Sequence, residues 1–390
     1  MTFSSRVPRG SAPNQLTRAL ARLRAGGVPV ADLTESNPTR VGLAYPADLL
    51  EPLGHPAGLR YEPQPLGLPA ARAAVAADQM RRGAAVVPEQ VVLTASTSEA
   101  YGWLFKLLCE PGEAVLVPRP SYPLFDYLAR AEGVATHAYS LRFDGRWEVD
   151  LATVESAPEH VKALVAVSPN NPTGSYLEAG EIAALQAICR NRGWALIVDE
   201  VFADYPLHAR VPRTDLAVDA PVLTFSLAGA SKTLGLPQVK LGWMIVGGPD
   251  AERREALEGL EHVADTYLSV STPVQLAAGA LLSAGAAVRQ AIHARVGRNL
   301  THAREIARGF PACTVLPVEG GWTAVVRVPA LRSEEALALT LLEHEHVLAH
   351  PGYFFDFDTE AFLVVSLLPE EAGFRDAFER TLRHACTPSC

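Results

Sequence analysis

A chain of 390 residues with 48% hydrophobic and 20% charged side chains has the make-up of a globular protein with room for one large or two medium domains. A net charge of −9 disfavours a nucleic-acid partner. Cys109, Cys189, Cys313, Cys386 and Cys390 are scattered without CxxC spacing, which argues against a disulfide framework or a zinc site and points to a reducing cytoplasm. The first residues, MTFSSRVPRGSAPNQL, hold no apolar core of the kind a secretory leader needs. The most apolar long stretch, QLAAGALLSAGAAV, is too short and too broken by Gly and Ser to span a bilayer.

In chain order, residues 13–27 place Leu16, Leu20 and Leu23 on one helical face and stop at a Gly pair. Short proline-rich connections follow, and then a strand–helix rhythm begins. GLPAARAAVAADQMRRG reads as a helix, VVLTA (91–95) as a strand, and STSEAYGWLFKLLCEPG as the helix it feeds. AVLVP (114–118), ALVAVS (163–168), ALIVDE (195–200), VLTFSLA (222–228) and GWMIVGG (242–248) are apolar runs of strand length. Continuous apolar strands alternating with helices predict a mostly parallel sheet covered on both faces. Residues from about 250 to 310 read as helical, and the remainder as a smaller mixed unit. The expected fold is α/β. Residues 45–275 form a large domain with a mostly parallel seven-stranded-type sheet flanked by helices, and residues 1–44 and 276–390 form a small α+β domain.

Lysine is rare here. Only Lys106, Lys162, Lys232 and Lys240 occur among 34 basic residues, and two of them fall in the glycine-containing stretch SLAGASKTLGLPQVKLGW. Lys232 follows an apolar strand, as do several other polar groups. Asp199 closes ALIVDE, Asn171 lies in the loop after ALVAVSP, and Ser96 and Thr97 follow VVLTA and open a helix. In open α/β sheets ligands sit at the carboxyl ends of strands. Brought together, these groups suit a phosphorylated cofactor with an aldehyde and a basic ring nitrogen. A helix N-terminus can hold the phosphate. A lysine amine can condense with the aldehyde, which arginine cannot. A carboxylate keeps the ring nitrogen protonated, Asn171 can donate to a ring oxygen, and Tyr122 in PRPSYPLF can stack on the ring. Each also has a plain structural role: Ser96 with Glu99 forms a capping box, NNPTG forms a turn, and Tyr122 packs between prolines.

In this order the motifs resemble those of the class I/II aminotransferases, pyridoxal-phosphate enzymes of fold type I. RYEPQPLGLPAAR, TASTSEA, PRPSYP, SPNNPTG, ALIVDEVF and SKTLGLPQVKLGW carry the resemblance over nearly the whole chain. It implies an enzyme binding pyridoxal 5'-phosphate and moving an amino group between an amino compound and a 2-oxo acid by a ping-pong route. Lys232 would form the Schiff base and shuttle the proton, and Asp199 would pair with the ring nitrogen. Asn171 would hold the ring oxygen and Tyr122 would stack. Ser96, Thr97 and Lys240 would hold the phosphate. It further implies a homodimer in which Tyr61 reaches the neighbour's phosphate. A lyase acting by β-elimination or decarboxylation is the alternative on the same fold, and a non-catalytic sensor built on that fold is the less favoured one.

Three positions depart from the family pattern. Phe202 stands three residues after Asp199, where the family commonly has tyrosine, and Lys240 stands where an arginine is usual. In AFLVVSLLP, Val364 occupies the place of the arginine that holds the substrate carboxylate. Asn37 and Arg40 in ESNPTRVG are the candidate substrate contacts, with Arg40 the one that could compensate; the alternative is a substrate without a conventional α-carboxylate. Arg327 is a weaker candidate, and His350 reads as polar packing.

Overall fold

The computed structural model describes residues 3–8, 12–208, 217–268 and 270–387. Its centre is an eight-stranded sheet. The strand order across it is Val91–Thr94, Gly242–Gly247, Thr224–Gly229, Ala195–Asp199, Val161–Val167, Ala114–Arg119, Ala135–Phe143 and Trp147–Val149. The four strands from Ala114–Arg119 to Thr224–Gly229 and the strand Ala135–Phe143 are parallel neighbours, while Gly242–Gly247 and Trp147–Val149 run against their neighbours. The short Trp147–Val149 strand, returning by a hairpin from Ala135–Phe143, extends the expected seven-strand arrangement by one.

The sheet is covered on both faces, as its apolar runs predict. Successive residues of one strand enter different cores. Ala163 and Val165 pack with Ile197, Phe225 and Leu227 beneath the helix Thr97–Leu108. Leu164 and Ala166 pack on the other side with Leu196 and Val198. Alternation with both sets buried is what leaves these strands without a polar face.

A second, four-stranded antiparallel sheet has the order Thr314–Val315, Thr323–Arg327, Phe362–Ser366 and His350–Pro351. Ala31–Asp32 pairs in parallel with Val347–Leu348, which ties the chain's first hundred residues to its last. The helix Gln15–Ala25 rests there: Leu16, Leu20 and Leu23 pack around Ala19, Leu342 and Leu348, the face read from their spacing. No helix among the described residues is long and apolar enough to cross a membrane.

Candidate active site

The register of the large sheet brings several strand ends together. Val167 pairs with Asp199, Asp199 with Leu227, Gly229 with Gly242, and Gly242 with Thr94. The residues just beyond these positions surround a cavity of about 300 Å³. Ser96, Thr97, Tyr122, Asn171, Asp199 and Lys232 all line it, so six positions chosen from sequence meet in one place.

Ser96 caps the helix Thr97–Leu108, its Oγ accepting the Glu99 N–H at 3.1 Å. The Glu99 carboxylate accepts the Ala95 N–H at 2.6 Å, so the capping role read from the sequence is real. It coexists with a helix start open to the cavity, because first-turn N–H groups lack intrahelical partners. Gly242 permits the close approach of the neighbouring strand. A Cβ there would lie 2.9 Å from the Ser96 carbonyl carbon and 2.8 Å from Thr94 Oγ1.

Asp199 accepts two hydrogen bonds, from the Tyr101 hydroxyl at 3.0 Å and the Val201 N–H at 3.1 Å. Burial raises its pKa to about 6, against the lowering effects of the Val201 and Tyr101 bonds and the charge of Lys232. Burial lowers Lys232 to about 8, and attraction to Asp199 partly offsets that. The Lys232 amine lies 4.8 Å from the Trp322 ring centre and 5.4 Å from that of Phe202. A desolvated amine between aromatic rings keeps a substantial neutral, nucleophilic fraction near neutral pH. Phe202, which replaces the expected tyrosine, forms part of this wall. The buried Tyr205 sits one turn further on, and its hydroxyl donates to the backbone carbonyl of Lys232 at 2.5 Å.

The other sequence candidates lie outside the lining. Lys240 is exposed, at φ 59°, beside Leu241, which does line the cavity. Tyr61 is exposed on a loop. Asn37 caps the short turn Pro38–Arg40 and accepts the Thr39 N–H at 3.0 Å, while Arg40 is exposed; of that loop Ser36 reaches the cavity. Arg327 is exposed at a strand end. His350 stacks on Phe354 at 4.7 Å, which matches the packing role expected of it. Val364 is buried in an apolar cluster with Phe355 and Val325.

Known proteins give the same grouping. The profile described as aminotransferase class I and II matches residues 57–373. The chain belongs to this aminotransferase family. Its members use pyridoxal 5'-phosphate, and the chain is an enzyme of the transferase class. It is 27% identical over 375 residues to an alanine aminotransferase of Mycobacterium bovis, covering 92% of this chain and 86% of that one. It is 32% identical over 235 residues to the S-alkyl-thiohydroximate lyase SUR1 of Arabidopsis thaliana, where the match spans 58% of this chain and about half, 49%, of the relative. An aminotransferase crystal structure from Escherichia coli superposes with a TM-score of 0.87 at 23% identity, covering 100% of this chain and 99% of the other, which establishes the fold.

The family cofactor fits the donor set. A carboxylate, an amine, an amide and a helix start face one cavity, and the buried Oδ1 of Asn171 has no hydrogen-bond partner among the described residues. Sequence reasoning missed Tyr101, the donor to Asp199, and Trp322, the ring beside Lys232. Tyr101 lies one helical turn after Thr97 on the helix already assigned to the site, so helical spacing could have found it. No local signal marks Trp322.

Proposed function

We propose that this aminotransferase moves an amino group between an amino compound and a 2-oxo acid at the cavity between Lys232 and Asp199. The observation that carries the reading is the pairing of a desolvated amine, on the short helix Ala230–Thr233 that follows one parallel strand, with a desolvated carboxylate at the end of the adjacent strand, beside an open helix start. Ser96 and Thr97 would hold the cofactor phosphate, with Lys240 reaching in from the rim as a single point charge. Asn171 would donate to the ring oxygen, Tyr122 would pack on the ring, and Asp199 would keep the ring nitrogen protonated. When bound, the cofactor supplies an aldehyde for covalent attachment and a ring that accepts the electron pair left by the broken C–H bond. Neutral Lys232 takes the proton from the substrate carbon, and its ammonium form returns it. Phe202 and Trp322 exclude water from the amine.

The same reading includes a homodimer in the cytoplasm, with the exposed Tyr61 reaching the phosphate of the second copy. It also includes a division of the chain into residues 45–275 and a smaller unit of 1–44 and 276–390. Pairing of Ala31–Asp32 with Val347–Leu348 supports that division. Borohydride reduction followed by peptide mass spectrometry should find the cofactor on Lys232. Lys232→Ala should lose both the attachment and turnover, and retained turnover would reject the assignment. The lyase alternative draws on the 235-residue match to a plant lyase. Products separate the two: a keto product with the amine-loaded cofactor means transfer, whereas released ammonia or carbon dioxide means elimination or decarboxylation.

A further inference from the structure

We infer that His137 and His160 form a binding site for one divalent transition-metal ion, at the amino ends of the large sheet's parallel strands and away from the catalytic cavity. This goes beyond the aminotransferase reading and does not depend on it.

Topology puts the two rings together. His137 is the third residue of the strand Ala135–Phe143 and stands opposite Leu116 of the strand Ala114–Arg119. His160 comes just before the strand Val161–Val167, and its carbonyl accepts the Ala114 N–H at 3.1 Å. The strand Ala114–Arg119 therefore runs between the two histidines, one on each side. Both lie near the starts of parallel strands, whereas the cavity lies beyond their carboxyl ends, at Ser121 and Asn171. Strands two apart stand about 9–10 Å from each other, a gap that two imidazoles reaching inward can close.

The pair is close and open to solvent. The two Nε2 atoms lie 3.1 Å apart, with ring centres 5.1 Å apart and planes at 72°. His160 is exposed and His137 partly so. Nitrogens facing each other at that distance share one proton, with one ring donating and the other accepting. The same spacing suits a metal. Two imidazole nitrogens bonded to one ion at about 2.0–2.1 Å stand about 2.9 Å apart at a right angle and about 3.4 Å apart at the tetrahedral angle. The observed separation lies between those limits, so an ion can take the place of the shared proton with little movement of either ring. That proton passes to Nδ1 of its own ring, and the neutral pair binds the ion without net proton release.

The class of ion follows from the donors. Imidazole suits nickel, copper and zinc, whereas magnesium and calcium take oxygen ligands. No third His, Cys, Asp or Glu among the described residues completes the group, so two protein ligands and water make up the coordination shell. Glu113 lies within electrostatic reach of His160. Its carboxylate is committed to Lys162 at 2.9 Å and to the Glu110 N–H at 2.8 Å, so it offsets the lysine charge beside the site. A bound ion would clip together two strands that otherwise meet only through the one between them, and so favour the folded chain by mass action.

The test is calorimetry of nickel(II) chloride and magnesium chloride against the holoenzyme, purified without a histidine tag. Nickel should bind and magnesium should not. His137→Ala and His160→Ala should each weaken binding of one nickel ion per chain by about tenfold or more, the loss that removing even an outer-shell partner commonly brings, with cofactor absorbance retained. Nickel should also raise the unfolding temperature of the wild type more than that of either variant. Wild-type nickel affinity surviving in either variant, no binding to the wild type at millimolar nickel, or magnesium binding as well as nickel overturns the inference; the two rings would then be only a hydrogen-bonded pair. Turnover enters none of these readings, so the result stands whether or not the enzyme transfers amino groups.

Discussion

Replacing Tyr101 with phenylalanine removes one hydroxyl from the cavity and should make the cofactor-free protein more sensitive to alkaline pH. Tyr101 is buried, and its hydroxyl donates to Asp199 at 3.0 Å. A hydrogen bond to a charged group contributes about 1.5–3 kcal/mol, which corresponds to about one to two pKa units. Burial already raises Asp199 to about 6, so loss of the donor should move it to about 7–8. The folded value lies above the unfolded value of about 3.9. The contribution of this carboxyl is therefore fully present below about pH 4 and is lost as pH rises through the folded pKa. In wild type the loss ends near the folded value of about 6, whereas in Tyr101→Phe it continues to about pH 8. The stability deficit of the variant should widen by about 2 kcal/mol between pH 5 and pH 8. Urea unfolding of the cofactor-free proteins at the two pH values measures this. A deficit of equal size at both would refute the reasoning, because the tyrosine would then act through packing alone.

Asp199→Asn removes the attraction that partly offsets burial at Lys232, so the amine should titrate below its present value of about 8; pH-dependent acylation of the cofactor-free protein reads this, and an unchanged profile counts against the coupling. Gly242→Ala drives a methyl against the backbone of Ser96. It should cost about 1–3 kcal/mol of stability and raise the dissociation constant of the cofactor, whereas unaltered cofactor affinity would mean that the Ser96 turn does not bear on binding. Glu334 is buried and accepts the Tyr353 and Phe362 N–H groups at 2.7 and 2.8 Å. Glu334→Gln turns a donor toward one of them and should cost about 1–3 kcal/mol in thermal or urea unfolding, with no loss as the contrary result.

What could be read from the chain beforehand and what could not divides by the range of the interaction. Lys232, Asp199 and Asn171 each end or follow an apolar run, and parallel strands in register carry such ends to one edge whatever the side chains between them do. The strand Ala135–Phe143 escaped notice because it lies next to the sheet edge with most of its residues half-buried or exposed, so it has no unbroken apolar run. Tyr101 and Asp199 lie 98 positions apart, and their hydrogen bond exists because the helix Thr97–Leu108 crosses the sheet over that strand end. The same distinction governs substrate recognition. The missing guanidinium was legible as Val364, one residue in one strand. What lines the cavity in its absence was not, because Thr323 and Ser366 stand on the small sheet and Val167 and Asp199 on the large one, and only the folded chain brings them to one cavity. A lost charge is a local fact about a chain, whereas the set of groups around a cavity is a property of the folded surface. It is therefore at the substrate end, more than at the cofactor end, that the chain departs from what its motifs imply, since Val364 stands where they imply an arginine.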